Sequence, residues 1–114
     1  MTIEEKRAIL AERLTVFRSW HYERLAERVE RDGREHDCLD HIEETAPDGT
    51  EYQIEFNAFW NDKPNGDVRV CGFLTAEPQR PILPFIPIDT ADVGDEFIMR
   101  PDGTFVGEPP TTDN

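Results

Sequence analysis

Residues 36 to 41 read His36-Asp37-Cys38-Leu39-Asp40-His41, the sharpest chemical candidate in the sequence. Imidazole, thiolate and carboxylate are all ligands for zinc or a similar borderline ion. In an extended strand His36, Cys38 and Asp40 project from one face. Alternate residues of a strand stand ~7 Å apart, however, so the three do not converge on one ion without a bulge or a second element. The spacing therefore predicts no tightly bound metal and no other cofactor, with Cys38 serving as a small apolar core residue.

Asp40 carries a second possibility. A carboxyl pointed at an apolar face has its pKa raised by desolvation and can act as a general acid or base. His21 is its candidate partner, and Trp20, Tyr52 and Trp60 are candidate walls of an aromatic pocket between helix and sheet. The plainer reading leaves Asp40 in water at the open end of the sheet, or accepting a hydrogen bond from Trp or Tyr. The chain has no Ser or Cys nucleophile with a plausible base, no Gly-rich phosphate loop and no paired metal motif, so binding is favoured over catalysis.

The elements that must position these residues are legible from three turns. Ala46-Pro47-Asp48-Gly49, Lys63-Pro64-Asn65-Gly66 and Arg100-Pro101-Asp102-Gly103 share one grammar, in which proline presets a type I corner and glycine takes the left-handed position after it. The first turn places Ile42 opposite Ile54, Asp40 opposite Phe56 and Cys38 opposite Ala58. It also sets His41 opposite Glu55 as an ordinary cross-strand charge pair. The second places Trp60 opposite Val70, Ala58 opposite Gly72 and Phe56 opposite Leu74. Tyr52, Ile54, Phe56, Ala58 and Trp60 alternate with polar residues, the period of a half-buried strand. An antiparallel meander over 36–45, 51–62 and 67–75 follows, with a short hairpin at 96–107 that pairs Ile98 with Val106 and Met99 with Phe105.

Ahead of the sheet, Thr2 and Glu5 form a capping box, and Ile3, Leu10, Leu14, Phe17, Leu25 and Val29 recur at helical spacing until Gly33. They predict one long helix or a pair joined near Ser19. Arg24, Arg28 and Arg31 lie among Glu23, Glu27 and Glu30 as a solvated face, with Glu27–Arg31 and Glu30–Arg34 at favourable spacing. Helices followed by an antiparallel sheet define an α+β fold, the helix or helix pair lying across one sheet face and packing Leu10, Leu14, Phe17 or Leu25 on Ile42, Ile54, Phe56, Trp60, Val70 and Leu74. The arrangement resembles a cystatin-type or helix-grip architecture, a likeness that carries no function.

The chain has 114 residues, enough for one domain, taken as 1–108 (helical 3–33, sheet 36–107) with a frayed tail at 109–114. No apolar run approaches the ~20 residues of a membrane span, and the N-terminus reads as neither signal nor transit peptide, so a cytoplasmic location is expected. Cys38 and Cys71 are expected as reduced thiols on opposite faces of the sheet. Pro78, Pro81, Pro84 and Pro87 recur at every third residue, setting Ile82, Phe85 and Ile88 on another edge of a polyproline-type segment. An edge segment packed on the domain is expected there, in preference to an exposed ligand for a proline-reading domain.

Charge is divided unevenly. Residues 1–34 hold eight Lys or Arg against seven acids, a balance of +1, while 35–114 hold four against eighteen, a balance of −14, giving the net −13. Nucleic-acid binding is excluded by this sign, because affinity for phosphates rests on cations. The acidic sheet half suits a basic protein partner, with Glu51, Glu55 and Asp67 as candidate contacts. Composition alone is the competing account, since only Lys6 and Lys63 are lysines against ten arginines.

The stretch Phe97-Ile98-Met99-Arg100-Pro101-Asp102-Gly103-Thr104-Phe105-Val106-Gly107-Glu108, with Gly66-Asp67-Val68-Arg69-Val70, resembles a family of small uncharacterised bacterial proteins. The domain of that family ends in a similar Pro-Asp-Gly, aromatic, Gly-Glu hairpin. The likeness spans about Tyr52 to Glu108 and implies neither a reaction nor any site residue.

Overall fold

The computed structural model describes residues 1–76 and 91–108; the proline-spaced segment and the tail after Glu108 lie outside the described residues. Two helices, α1 (Ile3–Arg18) and α2 (Tyr22–Glu35), pack on a sheet of β1 (Asp40–Thr45), β2 (Glu51–Trp60), β3 (Val68–Ala76) and β4 (Val93–Met99). The order is β1-β2-β3-β4 and each neighbouring pair is antiparallel. The fold is α+β, with a helix pair on one side of an open meander. No helix of the described residues is long and apolar enough to cross a membrane.

The capping box forms in both directions: the Glu5 amide donates to Thr2 Oγ1 at 3.1 Å and the Thr2 amide to Glu5 Oε1 at 3.2 Å. The helical stripe breaks at Ser19, whose hydroxyl donates back to the Val16 carbonyl at 2.6 Å, and His21 then turns extended before α2 begins. Gly33 does not end α2, contrary to the sequence expectation. It sits inside the last turns with open space around its Cα, where glycine costs only ~1 kcal/mol, and His36 ends the helix in the left-handed conformation at φ 54°. Two further residues are therefore helical, and the first strand starts at Asp40 instead of 36. The arginines of α2 also pair differently from expectation, Arg28 and Arg31 reaching Asp32 and Arg31 reaching Glu35.

The first register is as the turn predicts, Ile42 facing Ile54 and Asp40 facing Phe56. The second is displaced by two residues: Trp60 faces Val68, Ala58 faces Val70, Phe56 faces Gly72 and Ile54 faces Leu74. The cause is Asn65. In the Asp-Gly turns the positive φ falls on Gly49 and Gly103, whereas here it falls on Asn65 at 65°, one position earlier, as in a type II corner. Closure then moves outward to Asn61, whose amide donates to the Asp67 carbonyl at 2.9 Å. A two-residue displacement preserves the buried face, because the strand period is two. The last hairpin is shorter than expected, a single bridge from Met99 to Phe105 followed by a bond from the Val106 amide to Ile98.

The core joins Leu10, Leu14, Phe17, Leu25 and Val29 to Tyr52, Ile54, Phe56, Val68, Val70, Leu74, Val93, Phe97 and Met99. Ile42 and Trp60, expected in its centre, are only partly buried at its margins, and Ile3 is exposed. The helices sit over β2, β3 and β4, leaving β1 largely outside their cover.

Candidate functional site

The structure separates the ligand-type residues of the 36–41 run. His36 is the helix cap, half-buried Cys38 lies in the connector with its amide on Asp37 Oδ1, and Asp40 opens β1. They no longer alternate along one strand, and among the described residues no group of three or more His, Cys, Asp or Glu is placed to hold a metal ion. Burial raises the Cys38 thiol pKa, with the negative charge of Asp37 adding to the effect.

Asp40 faces Phe56 in register, yet its side chain is exposed and accepts from the His41 amide at 2.8 Å. The described helices leave the Asp40 end of β1 largely uncovered. His21 is exposed at the start of α2. The aromatic candidates have separate partners. Tyr52 is buried and donates to Glu44 Oε2 at 2.9 Å, Glu44 in turn pairing with Arg13 of α1. Trp20 packs edge-on against Phe17 at 5.1 Å and carries the Arg24 guanidinium 3.5 Å above its ring. His41 lies opposite Glu55 as expected, but its ring meets Gln53 Oε1 at 3.3 Å.

Glu51 and Glu55 occupy the side of β2 away from the helices, while Asp67 stands apart in the loop before β3. On that outer side the register assembles cross-strand rows: Glu43 with Gln53 and Thr75, His41 with Glu55 and Phe73, Asn57 with Cys71 and Glu96, Phe59 with Arg69 and Ile98. No described helix covers these rows. Phe59 is 44% exposed, and Arg69, the cation among them, is occupied by Glu96 at 3.2 Å and Asn61 at 3.0 Å. Cys71 is buried beside them, its thiol pushed up to about 11 by burial and by the neighbouring Glu96.

Where α2 ends, a groove of about 750 Å³ opens between its last turn, Asp37 and the end of β2 at Asn57, Phe59 and Trp60. Asp32 lines it and is only 4% exposed. Arg28 Nε approaches Asp32 Oδ1 at 3.3 Å while Arg28 Nη2 donates to the Leu39 carbonyl at 2.8 Å, so one guanidinium ties the helix end to the connector. Asp32 Oδ2 is buried and has no hydrogen-bond partner. Sequence reading did not single out this residue. Its spacing was the available signal, since Leu25, Val29 and Asp32 share one helical stripe.

In comparisons with known proteins, no family model, no curated protein and no solved structure matches this chain.

Proposed function

We propose that this chain is a non-enzymatic, cytoplasmic interaction protein that captures a basic protein partner on the acidic side of its sheet. One observation carries the reading: the helices cover one side of the sheet only, and the other presents Glu43, Glu51, Glu55 and Glu96 around Phe59, Phe73 and Ile98. The −14 balance of the sheet half supplies a long-range attraction for a cationic partner, and the aromatic and aliphatic residues supply apolar area to bury once it has docked. Such a surface suits neutralisation of a cationic protein, as an immunity protein neutralises a basic toxin. The competing pocket reading, built on Asp40, loses support from the exposure of Asp40 and from a groove lining that contains neither Asp40 nor His21.

The test is a titration of isotope-labelled protein with a cationic peptide of alternating Arg and Val at two ionic strengths, followed residue by residue. Shifts centred on Glu43, Glu51, Glu55 and Phe59 that weaken with salt are expected, because exposed charges are screened beyond ~8–10 Å at physiological ionic strength. Reversing Glu51, Glu55 and Asp67 to Lys should slow association without unfolding the chain. Absence of salt-dependent binding, or a small molecule lodged beside Asp40 as the sole ligand, would refute the proposal.

A further inference from the structure

The groove at the end of α2 runs beside a length of strand edge that no described strand occupies. β1 starts at Asp40 opposite Phe56, so Asn57 to Trp60 of β2 are paired with β3 on one side and with no described strand on the other. Residues 36–39 would occupy that slot if they were extended. The helical extension past Gly33 and the left-handed turn at His36 take His36 to Cys38 off that line, and only Leu39 still bonds to β2, through the Phe56 carbonyl.

The backbone phase of β2 shows which groups face the slot. The Phe56 carbonyl accepts from Leu39 N at 2.8 Å on the β1 side, and Asn61 N donates to Asp67 on the β3 side. Even-numbered residues of β2 therefore direct both N–H and C=O outward, odd-numbered ones toward β3. Ala58 and Trp60 aim their backbone groups into the slot, and no described backbone or side-chain group bonds to them. Unpaired edge groups of this kind are a template for an added strand.

The chemistry of the slot selects its occupant. Glu30, Asp32, Asp37 and Glu55 line the groove with Arg34; Arg28 and Arg31 reach Asp32 Oδ1 from beside it, while Asp32 Oδ2 lacks a donor and Glu30, Asp37 and Glu55 keep the lining acidic. A second copy of the chain, with its net charge of −13, would bring the same acids face to face. We infer that the free edge of β2 at Asn57–Trp60 is a strand-addition site for an extended basic peptide segment, whose main chain pairs with Ala58 and Trp60 and whose Lys or Arg side chains, at alternate positions, enter the acidic groove. Four residues of strand span ~13 Å, enough for two such side chains on one side. The inference rests on the basic-partner reading and supplies its docking mode; Glu55, Asn57 and Phe59 belong to both the outer side and the groove.

The probe is the alternating Arg and Val peptide in three forms: unmodified, N-methylated on one alternate set of amides, and N-methylated on the other. The modification lies in the peptide, so the protein's stability is untouched. Loss of two main-chain hydrogen bonds should weaken one methylated form on the order of tenfold and spare the other. Binding of the unmodified peptide should slow amide exchange at Ala58 and Trp60, and Asp37→Lys should reduce affinity several-fold at low salt. Equal affinity of both methylated forms, with salt-dependent binding intact, would overturn strand addition and leave the basic-partner reading standing. No salt-dependent binding of any form would overturn both. Exchange at Ala58 and Trp60 already slow in the free protein would mean an edge filled by a second copy, if concentration-dependent, or by the chain itself if not, and either result would overturn the site.

Discussion

Substituting Gly72 tests the centre of this architecture. Gly72 faces Phe56 across the β2–β3 pair beneath Leu10 of α1, and a Cβ placed on it would stand 2.8 Å from Leu10 Cδ1 and 3.0 and 3.1 Å from two Phe56 ring carbons. Optimal carbon contacts lie at ~3.5–4.0 Å, so alanine there requires a shift of several tenths of an ångström. Neither neighbour has room to move outward, Leu10 being 0% and Phe56 2% exposed. Against an intrinsic gain of ~0.5–1 kcal/mol for replacing strand glycine stands an overpacking cost of ~1–3 kcal/mol, a net loss on the order of 1–2 kcal/mol for Gly72→Ala. Urea denaturation should show this as a lower midpoint at unchanged slope. Leu10→Ala alone should cost ~2–5 kcal/mol as a cavity, and the double variant should cost less than the two single changes together by ~1 kcal/mol or more, because deleting the leucine tip relieves the clash. A Gly72→Ala protein as stable as the parent, or strict additivity of the pair, would refute the packing and the register beneath it.

Phe56→Ala removes the ring that Phe17 meets at 5.0 Å and should cost ~3–5 kcal/mol in the same denaturation assay; a loss below ~1 kcal/mol would place Phe56 outside the core. The carboxyls of Glu44, Asp48 and Asp102 are held below their ordinary range by hydrogen bonds from Tyr52, Thr50 and Thr104 respectively, Asp48 down to about 2. Folded values below unfolded ones give stability that is complete above the unfolded range near pH ~4 and is lost as pH falls toward the folded values, so Tm in high salt should drop steadily between about pH 5 and 2. A flat or rising Tm over that interval would contradict it. Cys71, with its thiol pushed up to about 11, should resist alkylation near neutral pH until the protein unfolds, whereas modification at the rate of a free thiol would show the site to be open.

The sequence was most legible where a local rule had no competitor. The capping box at Thr2, the Asp-Gly turns and the alternation of β2 each state their structure within a few residues, and each forms as read. The misread stop and the displaced turn have one character: two local signals competed there. Gly33 is a stop signal by type, but the buried stripe through Val29 and Asp32 continued to favour helix beyond it. Lys63-Pro64-Asn65-Gly66 looks like its sister turns, yet asparagine accepts positive φ more readily than other non-glycine residues, so the corner closed one position early. At the outer strand the sequence left two readings of Asp40 open, and the plainer one, Asp40 in water at the open end of the sheet, is observed. Period-two patterning assigns a face without saying how far the helices extend over it, which is why Asp40 shares a face with Phe56 and is nevertheless in water.

The end of α2 links these failures to the site. A histidine in the left-handed region carries a backbone cost of ~1–2 kcal/mol, and it persists here because the surrounding contacts fix it. The Asp37 amide reaches back to the Asp32 carbonyl at 3.0 Å, Arg28 holds the Leu39 carbonyl, and Leu39 itself is 4% exposed in the core. Those three contacts pull the connector under the sheet margin instead of along it. The same contacts that end the helix thereby bury Asp32 at the groove, start β1 late and leave Ala58 and Trp60 facing outward. An extended 36–39 segment would have paired the edge and given the chain a continuous outer strand. In the observed arrangement the length of β2 that no described strand pairs is a consequence of where the helix stops, and its acidic lining comes from residues on both sides of that stop, Glu30 and Asp32 before His36 and Asp37 after it.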